Sequence, residues 1–265
     1  MILEMLIAGT VAGACKSISM DEKALKKYAK AYEKAEEGQR LLSTKSELVD
    51  KRLNNVAKKK RAIIEYAIPK FIEINKKIRD LDIEVPSVNS VISTKIEEKL
   101  KVLGQMKRVV KRSYTDKELL IGALFTPTPL VLASIMVKDS KQFQSAANKQ
   151  MSLANVQYEQ ALNMIEVLDE IEKKADRFSM TFATLNYMLQ NILDDIENVI
   201  SCNGKAINLY TKKDMVKIWA STEIIIALYK LMKEPILDNK GEIAIKAENL
   251  LIETDKRLAE INSML

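Results

Sequence analysis

The chain has 265 residues, enough for one large domain or two small ones with a substantial core. Seven Gly, five Pro and 5% aromatic residues imply few turns and long helices, and argue against a β-sandwich or barrel. Histidine is absent, which removes the usual general base, the Ser-His and Cys-His nucleophile pairs and most zinc sites. The net charge of +6 is uneven, with 29 basic and 18 acidic residues in 1–150 against 13 and 18 in 151–265. A basic half suits anionic lipid, nucleic acid or an acidic partner, and charge alone does not choose among them.

The N-terminal stretch MILEMLIAGTVAGACKS is apolar but interrupted by Glu4 and lacks a basic start, so no cleavable signal peptide is expected. Ala12-Gly13-Ala14-Cys15 resembles a lipoprotein cleavage site only faintly, which leaves lipidation of Cys15 open. Ile2, Leu3, Leu6, Ile7, Gly9 and Gly13 form a short apolar segment. As a helix it spans about 20 Å, less than the ~30 Å hydrocarbon core of a bilayer. Gly9 and Gly13 have a small-xxx-small spacing that permits close helix contact.

From Asp21 to about Asp80 the spacing predicts a rod helix, with Leu25, Ala29, Tyr32, Leu42, Val49, Leu53, Val56, Ile63, Ala67, Phe71, Ile74, Ile78 and Leu81 as its apolar stripe. Pro69 is expected to kink it or end a hydrogen-bonded segment. A connection follows around Pro86, and Thr94 with Glu97 forms a capping-box pattern for a helix running to about Arg112. After Lys138 a second rod is predicted from Ser140 to Ile200. Its seam comprises Ala161, Ile165, Leu168, Ile171, Ala175, Phe178, Phe182, Leu185, Leu189, Ile192, Ile196 and Val199, and the rod stops at Cys202-Asn203-Gly204. Two more helices are predicted: Lys213 to Lys233, and one after the Asp238–Gly241 turn with Ile243, Ala247, Leu250, Leu258, Ile261 and Leu265 at helical spacing. The expected fold is all-α. It is a single elongated domain over 1–265, an antiparallel helical bundle of two rods of about 60 residues with a mid-chain apolar hairpin.

Each chemical candidate has an ordinary explanation. Asp194, Asp195 and Glu197, and Asp169, Glu170 and Glu172, are carboxylate clusters that lack the Glu-x-x-His partner of di-iron bundles, so a solvated helix face is expected. No Gly-rich phosphate loop occurs. Lys58-Lys59-Lys60-Arg61 has no stacking aromatics beside it and reads as a solvated rod face rather than a nucleic-acid surface. No enzyme activity, cofactor, metal, nucleic acid or small-molecule substrate is expected. Two cysteines make no disulfide framework, and free thiols are expected.

LLIGALFTPTPLVLASIMV, residues 119–137, is an uncharged stretch as long as a transmembrane helix. Pro127 and Pro129 divide it into two arms too short to span as helices. Leu119, Leu120, Ile121, Leu124, Phe125, Pro127, Pro129, Leu130, Val131, Leu132, Ile135, Met136 and Val137 are the candidate membrane-contacting residues of this hairpin. Lys107, Arg108, Lys111, Arg112, Lys117 and Lys138 bracket it and are the candidate contacts to anionic lipid. The alternative is a hairpin tip buried in the bundle or in a dimer.

A rod-like bundle, an apolar N-terminal segment and an apolar hairpin between long helices together resemble the α-helical pore-forming toxins of the cytolysin A and haemolysin BL type. That resemblance implies a chain passing from a soluble to a membrane form: 119–137 would be released as a tongue, the N-terminal helix would swing, and copies would assemble. The partners implied are anionic membrane lipid and further copies of the chain. The rival reading is a non-enzymatic coiled-coil scaffold whose apolar ends bind a partner helical protein. A constitutive membrane anchor is a third. Abundant Lys and Ile with no His and few aromatics point to a bacterial source.

Overall fold

The computed structural model describes residues 22–81, 98–102, 140–204, 206–237 and 244–265. The chain is an all-α helical bundle, as its periodicity predicts. Helix α1 covers Glu22–Ala62, a π-helical turn Ile63–Ala67, and α2 Ile68–Asp80. Helix α3 is the 64-residue Ser140–Asn203; a 3₁₀ turn at Ile207–Leu209 follows, then α4 at Lys212–Lys233 and α5 at Ile245–Met264. Of the helix expected to run to about Arg112, residues 98–102 are described and helical, with Leu100 fully buried.

The described residues fall into two compact units, the first holding 22–45 and 140–167, the second 46–81, 98–102, 168–204, 206–237 and 244–265. In the first unit Lys27 Nζ donates to Asn148 Oδ1 at 2.8 Å, the Lys34 ammonium lies 4.9 Å from the Tyr158 ring centre, and Gly38 meets Tyr158 and Ala161. In the second, Arg52 pairs with Glu172, Asn55 with Ser179, Lys70 with Asp194 and Lys77 with Glu197. Partner numbers rise together in both units, so the first rod and α3 run parallel. This corrects the antiparallel pairing expected of them. A heptad stripe buries the same side chains whichever way its partner points, so periodicity is blind to direction. Antiparallel neighbours need only a short turn, whereas parallel ones need a long connection, and the chain between α2 and α3 has that length.

The first unit is seamed by small residues. Ala24, Ala31, Ala35 and Gly38 of α1 are buried, as are Ala147, Ala154 and Ala161 of α3. Leu25, Ala29, Tyr32 and Leu42, the expected stripe, are only half-buried at its margin. Side chains of this size bury little area each but let two backbones approach closely. A Cβ on Gly38 would lie 3.2 Å from Tyr158 Cδ2, so a methyl there would need the Tyr158 ring to give by a few tenths of an ångström.

The second unit is seamed by large residues. Val49, Leu53, Val56, Lys60, Ile63, Ala67, Phe71, Ile74 and Ile78 face Leu168, Ile171, Ala175, Phe178, Phe182, Leu185, Leu189, Ile192 and Ile196. The α3 stripe keeps alternating steps of three and four residues throughout. On the first rod two four-residue steps meet at Ala67. The π-turn absorbs the extra residue, so Phe71, Ile74 and Ile78 stay on the face that carries Ile63. Pro69 explains the turn's position. Its ring would strike the Glu65 carbonyl in a regular α-helix, and the wider turn, closed by Ile68 N–H to Ile63 O, relieves that contact. The hydrogen-bond pattern thus changes one turn before the proline and not at it.

Helix α3 ends where the Asn-Gly pair predicts. Gly204 adopts φ +54° and its N–H bonds to Ile200 O at 2.9 Å, a conformation that glycine enters without a Cβ clash. Helix α4 begins with a capping box: Thr211 N–H donates to Asp214 Oδ2 at 2.7 Å, and Asp214 N–H donates to Thr211 Oγ1 at 3.3 Å. Ile218, Ala220, Ile224, Ile225, Leu228 and Leu231 bury α4 on most sides. Helix α5 lies antiparallel to α4, through Lys230–Glu253 at 2.8 Å and Arg257–Glu223 at 2.9 Å. It runs parallel to α3, through Lys174–Glu248 and through Arg177–Asp255 at 2.6 Å.

Candidate functional site

The membrane-contacting candidates at 119–137, the bracketing bases Lys107, Arg108, Lys111, Arg112, Lys117 and Lys138, and the N-terminal segment Ile2 to Gly13 all lie outside the described residues, as does Cys15. Cys202 is a free, exposed thiol.

The acidic clusters of α3 link helices. Asp194 pairs with Lys70, Asp195 with Lys217 at 2.8 Å, and Glu197 with Lys77 at 2.9 Å. The three carboxylates therefore reach cations on two different neighbouring elements. Hydrogen bonds from Lys77 to Glu197 and Glu73 stabilise its ammonium and raise its pKa above the ordinary lysine value. Arg52 lies between Glu172 and Asp176, with Nε at 3.3 and 3.4 Å. Among the described residues no group of three or more His, Cys, Asp or Glu is placed to hold a metal ion. These contacts give the face a role in helix alignment that composition alone could not reveal.

The basic run at 58–61 departs from the expected solvated face. Lys58 and Arg61 are exposed, but Lys60 is only 1% exposed and its ammonium lies 5.9 Å from the Phe182 ring centre. A signal for this was present in the spacing, because Lys60 falls four residues after Val56 and three before Ile63, on the seam itself. Charge outweighed spacing in the sequence reading, since lysine is almost never fully buried.

A groove of about 280 Å³ lies between α4 and α5, floored by Ile226, Ala227 and Leu250. Its rim charges pair with one another: Lys230 with Glu253, and Arg257 with Glu223 and Glu260. Hydrogen bonding to Glu260, then to Glu223, raises the Arg257 pKa further above its already high value. The same guanidinium lies 5.8 Å from the Trp219 ring centre. A rim that neutralises itself offers little net field to a charged ligand.

Among the described residues no helix is long and apolar enough to cross a membrane. No protein-family model, curated protein or solved structure matches the chain.

Proposed function

We propose that the protein is a non-enzymatic helical-bundle protein that engages anionic membranes through the apolar hairpin 119–137, with conditional pore formation as its active form. The observation that carries this reading is the uncharged 19-residue stretch bracketed by Lys107, Arg108, Lys111, Arg112, Lys117 and Lys138, in a chain that is 29% charged. Apolar residues flanked by bases suit a bilayer whose headgroups are anionic. Long paired helices are what a likeness to the cytolysin A and haemolysin BL type of toxin requires. Extensive ion pairing among the described helices directs the reading to the hairpin and to the N-terminal segment as the lipid-seeking parts.

The rival reading is a coiled-coil scaffold whose apolar stretches, 1–15 and 119–137, bind a partner helical protein, since the α3 stripe from Leu168 to Ile196 is already buried within this chain. Liposomes separate the two. Dye-loaded vesicles rich in anionic lipid should leak on addition of the protein, and Leu124→Asp or Val131→Asp should abolish vesicle association, because a charge at bilayer depth costs about 2.5–3.5 kcal/mol or more. Undiminished association by both variants would overturn the membrane reading.

A further inference from the structure

We infer that the first unit opens by itself: residues 22–45 and 140–161 part from one another while the second unit stays folded, and this opening is the step by which the chain engages lipid. The link to lipid rests on the membrane reading above.

The seam between the rods carries the inference. Here α3 buries Ala147, Ala154 and Ala161, one residue in seven, whereas between Leu168 and Leu193 it buries two or more in every seven. The positions between those alanines, Gln150, Met151, Gln157 and Tyr158, are only half-buried, and the larger apolar Leu153 and Val156 are exposed. On the facing side α1 buries Ala24, Ala31, Ala35 and Gly38; Ala31, Ala35 and Ala154 share one core cluster, with Met151 against it. Among the described residues of this unit, every buried position is thus alanine or glycine. Hydrophobic attraction follows the apolar area removed from water, and an alanine removes a single methyl. Segments with few buried apolar contacts open at a lower free energy than the whole protein. Lys27 reaches Asn148 and Lys34 lies over Tyr158 across the same seam, but contacts open to water hold weakly. Nor is α1 strong alone. Gly38 lies within it, and helices parted from their neighbours are marginal in water.

Connectivity gives the opening its use. Because the rods run parallel, their first residues, Glu22 and Ser140, lie at the same end of this unit. The apolar stretches 1–15 and 119–137 are joined to the rods at those two residues through short connections. Parting the alanine seam therefore changes the spacing of both attachment points without disturbing the core of the second unit.

Hydrogen exchange on the unmodified chain, without lipid, should show the amides of 24–38 and 147–161 exchanging about tenfold or more faster than those of 49–78 and 171–192. Equal rates in the two sets, or slower exchange in the first, overturn the opening. Leakage of dye-loaded anionic vesicles then tests its role, in a chain carrying Cys15→Ser and Cys202→Ser. Ala31→Cys with Ala154→Cys locks the first unit by a disulfide, and Asn55→Cys with Ser179→Cys locks the second. The first disulfide should abolish leakage until reductant is added, and the second should leave it near that of the parent. The role of the opening is overturned if the chain locked at 31 and 154 leaks as fast as its reduced form, or if both disulfides block leakage equally. A parent that leaks no vesicles overturns the membrane reading and the link to lipid with it, while the exchange rates decide the opening separately.

Discussion

The two compact units join the same two rods in the same parallel sense, yet they fill their seams differently. The first unit uses Ala24, Ala31, Ala35, Gly38, Ala147, Ala154 and Ala161; the second uses Leu, Ile and Phe, including Phe178 and Phe182 with ring centres 6.3 Å apart. A fully buried Leu or Phe contributes about 1.5–3 kcal/mol, against about 0.8 kcal/mol for a single methylene-sized group. The second unit therefore carries most of the hydrophobic stabilisation per residue, and the first depends on close fit. One sequence period thus serves two kinds of packing, one limited by area and the other by clearance.

Truncation should expose this difference most strongly. Phe182→Ala in the second unit is expected to lower the unfolding free energy by about 3–5 kcal/mol in urea titration. Ala154→Gly in the first should cost about 1 kcal/mol, mainly through helix propensity. Equal losses would break the comparison. Enlargement should reverse the ranking: Ala31→Leu in the tight seam is expected to cost about 1–3 kcal/mol, whereas Leu189→Met in the second unit should cost less than about 1.5 kcal/mol. A tolerated leucine at position 31 would mean that the first seam has slack.

Pro69→Ala sharpens the reading of the π-turn. A proline forced into a regular helix interior costs about 3 kcal/mol, but here the turn already accommodates it, so the alanine variant should gain no more than about 1 kcal/mol. A larger gain in melting studies would show that strain remains. The smallest expected effect is electrostatic. Lys174 donates a hydrogen bond to the Glu248 carboxylate and lowers its pKa below the usual 4.5. The linked stability is present above that unfolded value and is lost as pH falls through the lower folded value. Glu248→Gln should remove that acid-side dependence between α3 and α5, a small change because the pair is partly exposed. At the alkaline end Lys77 has the opposite sign: its raised pKa gives stability that is present below the ordinary lysine value of 10.5 and lost as pH rises through the folded one.

Much of this fold was legible in the amino-acid order, because helix formation and helix stopping are local. Asn203-Gly204 marked the end of α3, and the α3 seam read correctly from Leu168 to Ile196. The membrane candidates were legible as composition only, since 119–137 is recognised by lack of charge, which is a property of residues and not of their arrangement. Tertiary structure alone decided three things. It set the parallel direction of the rods, which a periodic stripe does not encode. It chose the small-residue face of the first unit over the stripe through Leu25, Tyr32 and Leu42, because close approach rewards side chains that carry little hydrophobic signal. And it buried Lys60, where the geometry of the seam at Val56 and Ile63 outweighed the strong tendency of an ammonium ion to stay in water.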